Sequence, residues 1–264
     1  MEEKLPADKL VAALVQARLE WENVPANLER FDERLEKAAG AELIVLPELF
    51  ASGFSMEAKV RVASFYEEIV GKMLGWSARY DALLVGSTVY RAGDLFFNRL
   101  VATFPDGDAR HYDKRHRFAM GGEDRHFAAG REQVILLYKG IKIAPFICYD
   151  LRFPVWSRNT AGYDAAIYVA NWPESRREAW QVLLKARAIE NQAYAIGVNR
   201  VGTDGHGARH AGDSAVISPK GERVGGVDSW KDEVALVEMD MAAARDFRQR
   251  FPVLRDGDSF QVER

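Results

Sequence analysis

The sequence contains a single cysteine, so no disulfide can form within the chain, and a lone thiol is typical of reducing compartments. It also lacks an excess of either charge, because 36 basic and 39 acidic side chains leave a formal net charge of −3. That balance excludes a general attraction to nucleic acid or to an anionic membrane. We therefore expect partners that are small molecules or further copies of this chain.

Long hydrophobic runs are missing as well. No segment approaches the ~18 consecutive apolar residues that a membrane span requires, and residues 1–6 lack the basic and apolar pattern of a secretory signal. These features predict a cytoplasmic protein. Internal repeats, low-complexity tracts and Pro/Ser-rich linkers are also absent, so we expect one domain over residues 1–264.

Alternating strand and helix patterns predict an α/β fold with mixed strand directions. Two face-to-face sheets covered by helices would explain the many short apolar strands, but periodicity alone is equally compatible with one large sheet. Helices are predicted at about 25–38, 60–78, 176–191 and 241–249, and another from about Pro154. Strands are predicted at 10–15, 43–46, 83–86, 95–104, 108–113, 134–138, 141–147, 165–170, 194–199, 213–218, 223–228 and 233–238.

The one thiol, Cys148, follows a strand-like segment and precedes Pro154, a residue suited to the first turn of a helix. A strand-to-helix turn would project the thiol from a sheet edge, where a nucleophile can meet free backbone N–H groups. For a lone cysteine the commoner role is a buried structural residue. The polar neighbours Asp150 and Arg152 favour the reactive role, which needs a base or a nearby cation.

Glu48 and Lys114 also come directly after predicted strands. A carboxylate at the carboxyl end of a strand is well placed to act as a general base, and an ammonium can stabilise a thiolate or an oxyanion. Considered separately, Glu48 is more simply an exposed loop residue, and the basic cluster around Lys114 a solvated face. The three residues together favour a catalytic set.

With these motifs in this order, the sequence resembles the nitrilase superfamily of carbon–nitrogen hydrolases, whose signature is a Glu-Lys-Cys triad, and within it the omega-amidase branch. The resemblance covers nearly the whole chain. The matching segments are Leu46-Pro47-Glu48-Leu49-Phe50, Ser52-Gly53-Phe54, Tyr112-Asp113-Lys114-Arg115-His116, Gly122-Glu123, Phe127-Ala128-Ala129-Gly130, Cys148-Tyr149-Asp150-Leu151-Arg152-Phe153-Pro154, Ala170-Asn171-Trp172-Pro173 and Ala186-Arg187-Ala188-Ile189-Glu190-Asn191-Gln192.

The resemblance implies a four-layer α-β-β-α sandwich, a homodimer, and a second glutamate, Glu123, that orients the lysine and the substrate. It implies a cysteine thioester mechanism with no metal or organic cofactor, in which Lys114 and the backbone N–H of Tyr149 hold the oxyanion. The one departure is His116-Arg117-Phe118, where family members often carry Leu-Phe, and it bears on substrate preference.

The implied substrates are short dicarboxylate monoamides such as 2-oxoglutaramate and 2-oxosuccinamate. Their free carboxylate requires a cation, for which Arg152 is the first candidate and Arg117 the second, because a guanidinium fork matches a carboxylate. The alternative role for Arg152 is a structural ion pair with Asp150 or another acid. Trp172 is expected to form an apolar wall of the site, although a core role beside Pro173 is nearly as plausible.

Three alternatives remain at the level of sequence. A nitrilase, carbamoylase or other amidase would use the same triad, a binding protein would keep the scaffold without the activity, and a thiol redox sensor would use Cys148 alone. The spacing of the histidines matches no compact zinc pattern, so no metal site is predicted. The histidines are His111, His116, His126, His206 and His210.

Overall fold

The computed structural model describes residues 6–262. Most of the segment in which no secretory signal is predicted, residues 1–5, lies outside that range. The first half of the described chain builds a mixed sheet whose strands β1, β2 and β3 run parallel. Its first five strands are β1 (Lys9–Gln16), β2 (Leu43–Val45), β3 (Leu83–Ala92), β4 (Leu95–Thr103) and β5 (Ala109–Asp113).

The second half builds another mixed sheet around a second parallel trio, β7, β8 and β9. Strands β10 and β11 form a separate hairpin, and β14 returns to pair with β1 in the first sheet. The strands are β6 (Leu136–Tyr138), β7 (Ile141–Ile147), β8 (Ala165–Ala170), β9 (Tyr194–Asn199), β10 (Val201–Thr203), β11 (Arg209–Ala211), β12 (Ala215–Ile217), β13 (Arg223–Gly226) and β14 (Glu233–Asp240).

Helices cover the outer faces of the sheets, because apolar side chains repeat along one side of each longer helix. The α-helices are α1 (Val24–Arg34), α2 (Lys59–Ser64), α3 (Tyr66–Tyr80), α4 (Glu123–His126), α5 (Arg177–Asn191) and α6 (Met241–Arg250). Helix α5 lies so close to β9 that a Cβ at Gly197 would come within 2.5 Å of Leu184 Cδ1. No helix within residues 6–262 is long and apolar enough to cross a membrane.

The core has two apolar layers that meet the two faces of the first sheet. One layer lies between the sheets and joins Leu14 of β1 to Ile143 of β7. The other joins Ala13 of β1 to Phe31 and Trp76 on helices α1 and α3. Adjacent strand residues point to opposite faces, so Ala13 and Leu14 belong to different layers. The prediction of two facing sheets covered by helices is confirmed, and the single-sheet alternative is wrong.

Two predicted helices differ from the structure. The helix predicted from about Pro154 is wrong: a 3₁₀ helix spans Cys148–Arg152 instead, and residues 154–157 form turns. Phe153 is non-helical at φ −115 and ψ 89, and a residue that precedes proline is disfavoured in the α region. The helix predicted over 60–78 is divided into α2 and α3 at Phe65, which leaves helical geometry at φ −92 and ψ 4. The strand predicted at 213–218 is shorter, at Ala215–Ile217, and follows Asp213 at φ +58.

Candidate active site

Glu48 lies three residues beyond the end of strand β2 and is fully buried. Its Oε1 accepts hydrogen bonds from Lys114 Nζ at 2.8 Å and from Asn98 Nδ2 at 2.8 Å. Its Oε2 accepts one from the backbone N–H of Asn171 at 2.8 Å. Asn171 directly follows strand β8, so this contact joins the carboxyl ends of strands from both sheets. The surroundings of Glu48 therefore fix the carboxylate in position without exposing it to bulk water.

Lys114 follows strand β5 and is 1% exposed. Besides Glu48, its ammonium contacts both carboxylate oxygens of Glu123, at 3.0 and 2.9 Å. Burial alone would lower the pKa of Lys114, but the charges of Glu123 and Glu48 outweigh it and raise the pKa above its ordinary value. The side chain is therefore a buried cation at neutral pH.

Glu123 begins helix α4, and its carboxylate connects the lysine to the preceding loop. Its Oε2 accepts a hydrogen bond from the backbone N–H of Phe118 at 2.6 Å. Asn98 Nδ2 is shared between the two glutamates, at 2.8 Å from Glu48 and 3.2 Å from Glu123. Lys114 and Asn98 thus hold two buried carboxylates together that would otherwise repel each other.

Cys148 is the first residue of the 3₁₀ helix that follows strand β7, and its φ of +43 lies in the left-handed region. That conformation is unfavourable for a residue with a Cβ and is commonest at functional turns. Burial, followed by the charge of Glu48, raises the pKa of the Cys148 thiol well above its ordinary value of 9.0, although Lys114 opposes the shift. The resting group is therefore a thiol, and a base must remove its proton before it attacks.

Glu48, Lys114 and Cys148 line one cavity of about 350 Å³. Tyr149 and Trp172 also line it, as the sequence predicts, and Trp172 is buried with its ring in the wall. Further lining residues that were not predicted as site residues are Phe54, Met56, Phe118, Asn171 and Arg176. This cavity contains a base, a buried ammonium and a thiol, which together can move a proton from sulfur and stabilise a negative oxygen.

Two guanidinium groups face the same cavity. Arg152 lies over the Trp172 ring, with its Cζ 4.9 Å from the ring centroid, and Arg176 lies over Phe118 at the same distance. Within residues 6–262 neither side chain has an ion-pair or hydrogen-bond partner. The alternative of an ion pair between Arg152 and Asp150 is wrong, since Asp150 pairs with His116 at 2.8 Å.

Arg117 lies outside the cavity that contains Cys148. Its guanidinium donates to the carbonyl oxygen of Phe127 at 3.2 Å and faces a separate cavity of about 930 Å³. That cavity does not include Cys148, Lys114 or Glu48, so the prediction that Arg117 contacts the substrate is not retained. The side chain points away because the loop after Lys114 turns inward at Phe118, whose N–H binds Glu123.

Two histidines, His206 and His210, also line this cavity. His210 lines the cavity but is 3% exposed, and burial together with the nearby Arg200 lowers its pKa to about 4. Within residues 6–262, no group of three or more His, Cys, Asp or Glu side chains is arranged to hold a metal ion. The permanently charged cations at the cavity are Lys114 and the two arginines.

Sequence reasoning missed Asn98, Asn171 and Arg176. Asn98 is in the middle of a strand, where an amide gives no signal in an apolar pattern, and Asn171 belongs to a matching motif that implies no role for it. Arg176 is one of two adjacent arginines. The other, Arg177, pairs with Asp213 at 2.6 Å, and nothing in the sequence distinguishes the two.

Comparisons with known proteins agree with this geometry. Residues 11–249 match the profile of the carbon–nitrogen hydrolase family. The chain is 46% identical to omega-amidase YafV from Escherichia coli K12, over 96% of this chain and 98% of that protein. It is 28% identical to 2-oxoglutaramate amidase from Bacillus subtilis, over 94% and 97%. The crystal structure of XC1258 from Xanthomonas campestris, a CN-hydrolase superfamily protein with an arsenic adduct in its active site, superposes with a TM-score of 0.94 at 40% identity, over 97% of this chain and all of that one.

Proposed function

The chain belongs to the carbon–nitrogen hydrolase family, the nitrilase superfamily, and on that premise we propose that it is an omega-amidase. It hydrolyses the terminal amide of short dicarboxylate monoamides, 2-oxoglutaramate and 2-oxosuccinamate, to the dicarboxylic acid and ammonia. Relatives named omega-amidase and 2-oxoglutaramate amidase support amide hydrolysis as the activity. The choice of an anionic amide rests on the cavity itself.

The observation that carries the proposal is the pair of unpaired guanidiniums, Arg152 and Arg176, in the cavity of Cys148. A cation in a partly buried site is costly unless an anion balances it, and a carboxylate matches the guanidinium fork. Both arginines are half-buried and held against aromatic rings, so their positions are defined before a ligand arrives. A substrate with a carboxylate at one end and an amide at the other would satisfy both ends of the cavity.

In the first half of the reaction, Glu48 takes the thiol proton as Cys148 Sγ attacks the amide carbon. The carbonyl π electrons move to oxygen, and the oxyanion is stabilised by the Lys114 ammonium and the backbone N–H of Tyr149. Because the resting thiol holds its proton firmly, a base as close as Glu48 is required. Lys114, Asn98 and Asn171 hold the buried carboxylate in one position, which supports its role in that transfer.

In the second half, the proton on Glu48 passes to the leaving nitrogen, the carbon–nitrogen bond breaks and ammonia departs. A thioester on Cys148 remains. Glu48 then takes a proton from water, the hydroxide adds to the thioester carbon, and the carbon–sulfur bond breaks as the proton returns to sulfur. Each proton that Glu48 accepts is returned, so the resting enzyme is restored.

We also propose that the protein acts as a homodimer. Val182 and Ile189 lie seven residues apart on the same face of helix α5, and they are 53% and 46% exposed. Exposed apolar side chains on one helix face are typical of association surfaces. Light scattering of the purified protein would give twice the mass of the 29.7 kDa chain, and the mass of a single chain would contradict the proposal.

A substrate panel tests the proposed function. Purified protein is incubated with 2-oxoglutaramate, glutamine, an uncharged aliphatic amide and an aliphatic nitrile, and ammonia release is followed. The proposal predicts the highest kcat/KM for 2-oxoglutaramate. Faster release from the nitrile or from the uncharged amide would contradict an omega-amidase while leaving the family assignment intact.

A further inference from the structure

The carboxylate of Asp150 joins the loop that carries Lys114 to the turn that carries Cys148. Asp150 is fully buried, two residues after the cysteine. Its Oδ2 accepts a hydrogen bond from Tyr112 Oη at 2.7 Å and one from the backbone N–H of Ile147 at 3.1 Å. Its Oδ1 accepts one from the backbone N–H of His116 at 2.9 Å and lies 2.8 Å from His116 Nδ1.

The positions of these donors matter more than their number. Tyr112 lies two residues before Lys114 and His116 two residues after it, so the two bonds hold the chain on both sides of the lysine. Ile147 directly precedes Cys148, and Asp150 is in the same 3₁₀ helix as the thiol. One rigid carboxylate therefore fixes both segments relative to each other, across the gap between the two sheets.

The bond from Ile147 also explains how the left-handed turn at Cys148 is maintained. A φ of +43 in a residue with a Cβ persists only where neighbouring interactions determine it. The Asp150 carboxylate caps the first turn of the 3₁₀ helix by binding the N–H immediately before the strained residue. Loss of that contact would allow the turn to relax and the thiol to move.

Three further contacts orient the donors toward Asp150. Tyr112 Oη accepts hydrogen bonds from Trp156 Nε1 at 3.0 Å and from the Arg115 N–H at 3.3 Å, so its own hydrogen is left for Asp150. The His116 ring stacks on Phe153 with a centroid separation of 3.7 Å, which fixes the direction of its Nδ1. The carboxylate thus meets donors on both of its oxygens.

We propose that Asp150 is a positioning residue that sets the location of the Cys148 thiol relative to the Lys114 ammonium. This inference rests on the proposed function, in which those two groups act on the same carbonyl. An asparagine has the same shape, but its NH₂ group would meet donors on one side, either Tyr112 and Ile147 or His116. The substitution should therefore preserve the fold but displace one of the two segments.

The test compares Asp150→Asn with Asp164→Asn. Asp164 is also largely buried and charge-paired, since it accepts from the Lys142 N–H at 2.9 Å and pairs with Arg248. It lies just before strand β8, at the end of the sheet opposite Asn171, and reaches no catalytic segment. Steady-state ammonia release from 2-oxoglutaramate is measured at a temperature at which circular dichroism shows both variants folded.

We expect kcat of Asp150→Asn to fall by about 100-fold with KM little changed, because a displacement of about 1 Å costs that much in a positioned reaction. Asp164→Asn should keep the wild-type kcat. A kcat of Asp150→Asn close to wild type, or an equal loss in Asp164→Asn, would overturn the proposal.

Tyr112→Phe serves as the second variant if Asp150→Asn does not fold. It removes one of the donors and should lower kcat by about 3- to 10-fold, the equivalent of one lost hydrogen bond. An unchanged kcat in that variant would overturn the proposal. Cys148→Ala separates the two claims: activity retained there would refute the proposed function, whereas loss there with a normal Asp150→Asn would refute only the role of Asp150.

Discussion

Lys114 Nζ lies 2.8 Å from Glu48 Oε1, and both side chains are at most 1% exposed, although 66 positions separate them in the sequence. The pair forms because β2 and β5 belong to one sheet and end at the same edge, β5 being antiparallel to β4, which is antiparallel to β3. A second buried carboxylate, Glu123, contacts the same ammonium. This site therefore holds two carboxylates and one ammonium, and it depends on the lysine to balance their charge.

Replacement of that lysine should make the stability of the protein depend on pH. In Lys114→Met the two carboxylates remain buried without a cation, which costs about 3–5 kcal/mol in the free energy of unfolding. Burial and Glu48 already raise the pKa of Glu123, and Lys114 is the main group that opposes the shift. A carboxyl group whose pKa is raised in the folded state stabilises the protein at low pH, and that stability is lost as pH rises. The free energy of unfolding that Lys114→Met loses relative to wild type should therefore be smaller at about pH 5 than at about pH 8. Thermal melts of wild type and variant at both pH values measure it; a deficit independent of pH would contradict the buried charge network.

Ionisation of Cys148 should require a high pH in the free protein. Burial and the charge of Glu48 raise the pKa of its thiol above 9.0. As it is the one cysteine of the chain, the ultraviolet thiolate absorbance of wild type minus Cys148→Ala reports on it alone. We expect no thiolate signal below pH 9.0, and in Glu48→Gln a signal at lower pH together with loss of ammonia release. A thiolate in the wild type at neutral pH would contradict the need for Glu48 as a base.

The two arginines should act on the charge of the substrate. Arg152→Met and Arg176→Met keep most of the apolar stem and remove the guanidinium, so packing against Trp172 and Phe118 is largely retained. A lost charge-assisted hydrogen bond costs about 1.5–3 kcal/mol, so KM for 2-oxoglutaramate should rise by about 10- to 100-fold. KM for an uncharged amide should change little. An equal rise in KM for both substrates would show that the two arginines do not recognise the carboxylate.

Opposite effects are expected from the same substitution at two glycines. In Gly197→Ala the new Cβ would meet Leu184 Cδ1 at 2.5 Å and Trp180 Cζ2 at 2.7 Å, so overpacking should lower the free energy of unfolding by about 1–3 kcal/mol. Gly75 lies within helix α3 with nothing within 4 Å of an added Cβ, so Gly75→Ala should raise it by about 0.5–1 kcal/mol. Urea denaturation measures both. If both variants changed the free energy of unfolding in the same direction by similar amounts, the result would contradict the close approach of α5 to β9.

The fold and the central residues of the site could be predicted because each leaves a local signal. Apolar runs mark the strands, and Glu48, Lys114 and Cys148 each follow one. The helix expected from Pro154 failed because the carboxylate of Asp150 binds the N–H of Ile147 and turns the chain earlier. That contact depends on tertiary structure.

Arg176 and Asn98 could not be predicted for a related reason. Arg176 becomes distinctive only because its neighbour Arg177 is paired with Asp213, 36 positions away. Asn98 becomes distinctive only where two glutamates from other segments converge on its amide. Neither relationship has a periodic signature, since both arise from side chains that meet after the sheets have packed together.

The most direct test of the account is ammonia release from 2-oxoglutaramate by wild type and by Cys148→Ala, with circular dichroism to establish that both are folded. The account predicts release by the wild type and none above the uncatalysed rate by the variant, because no other thiol in the chain can form the thioester. Ammonia release by folded Cys148→Ala at a rate comparable to wild type would contradict it.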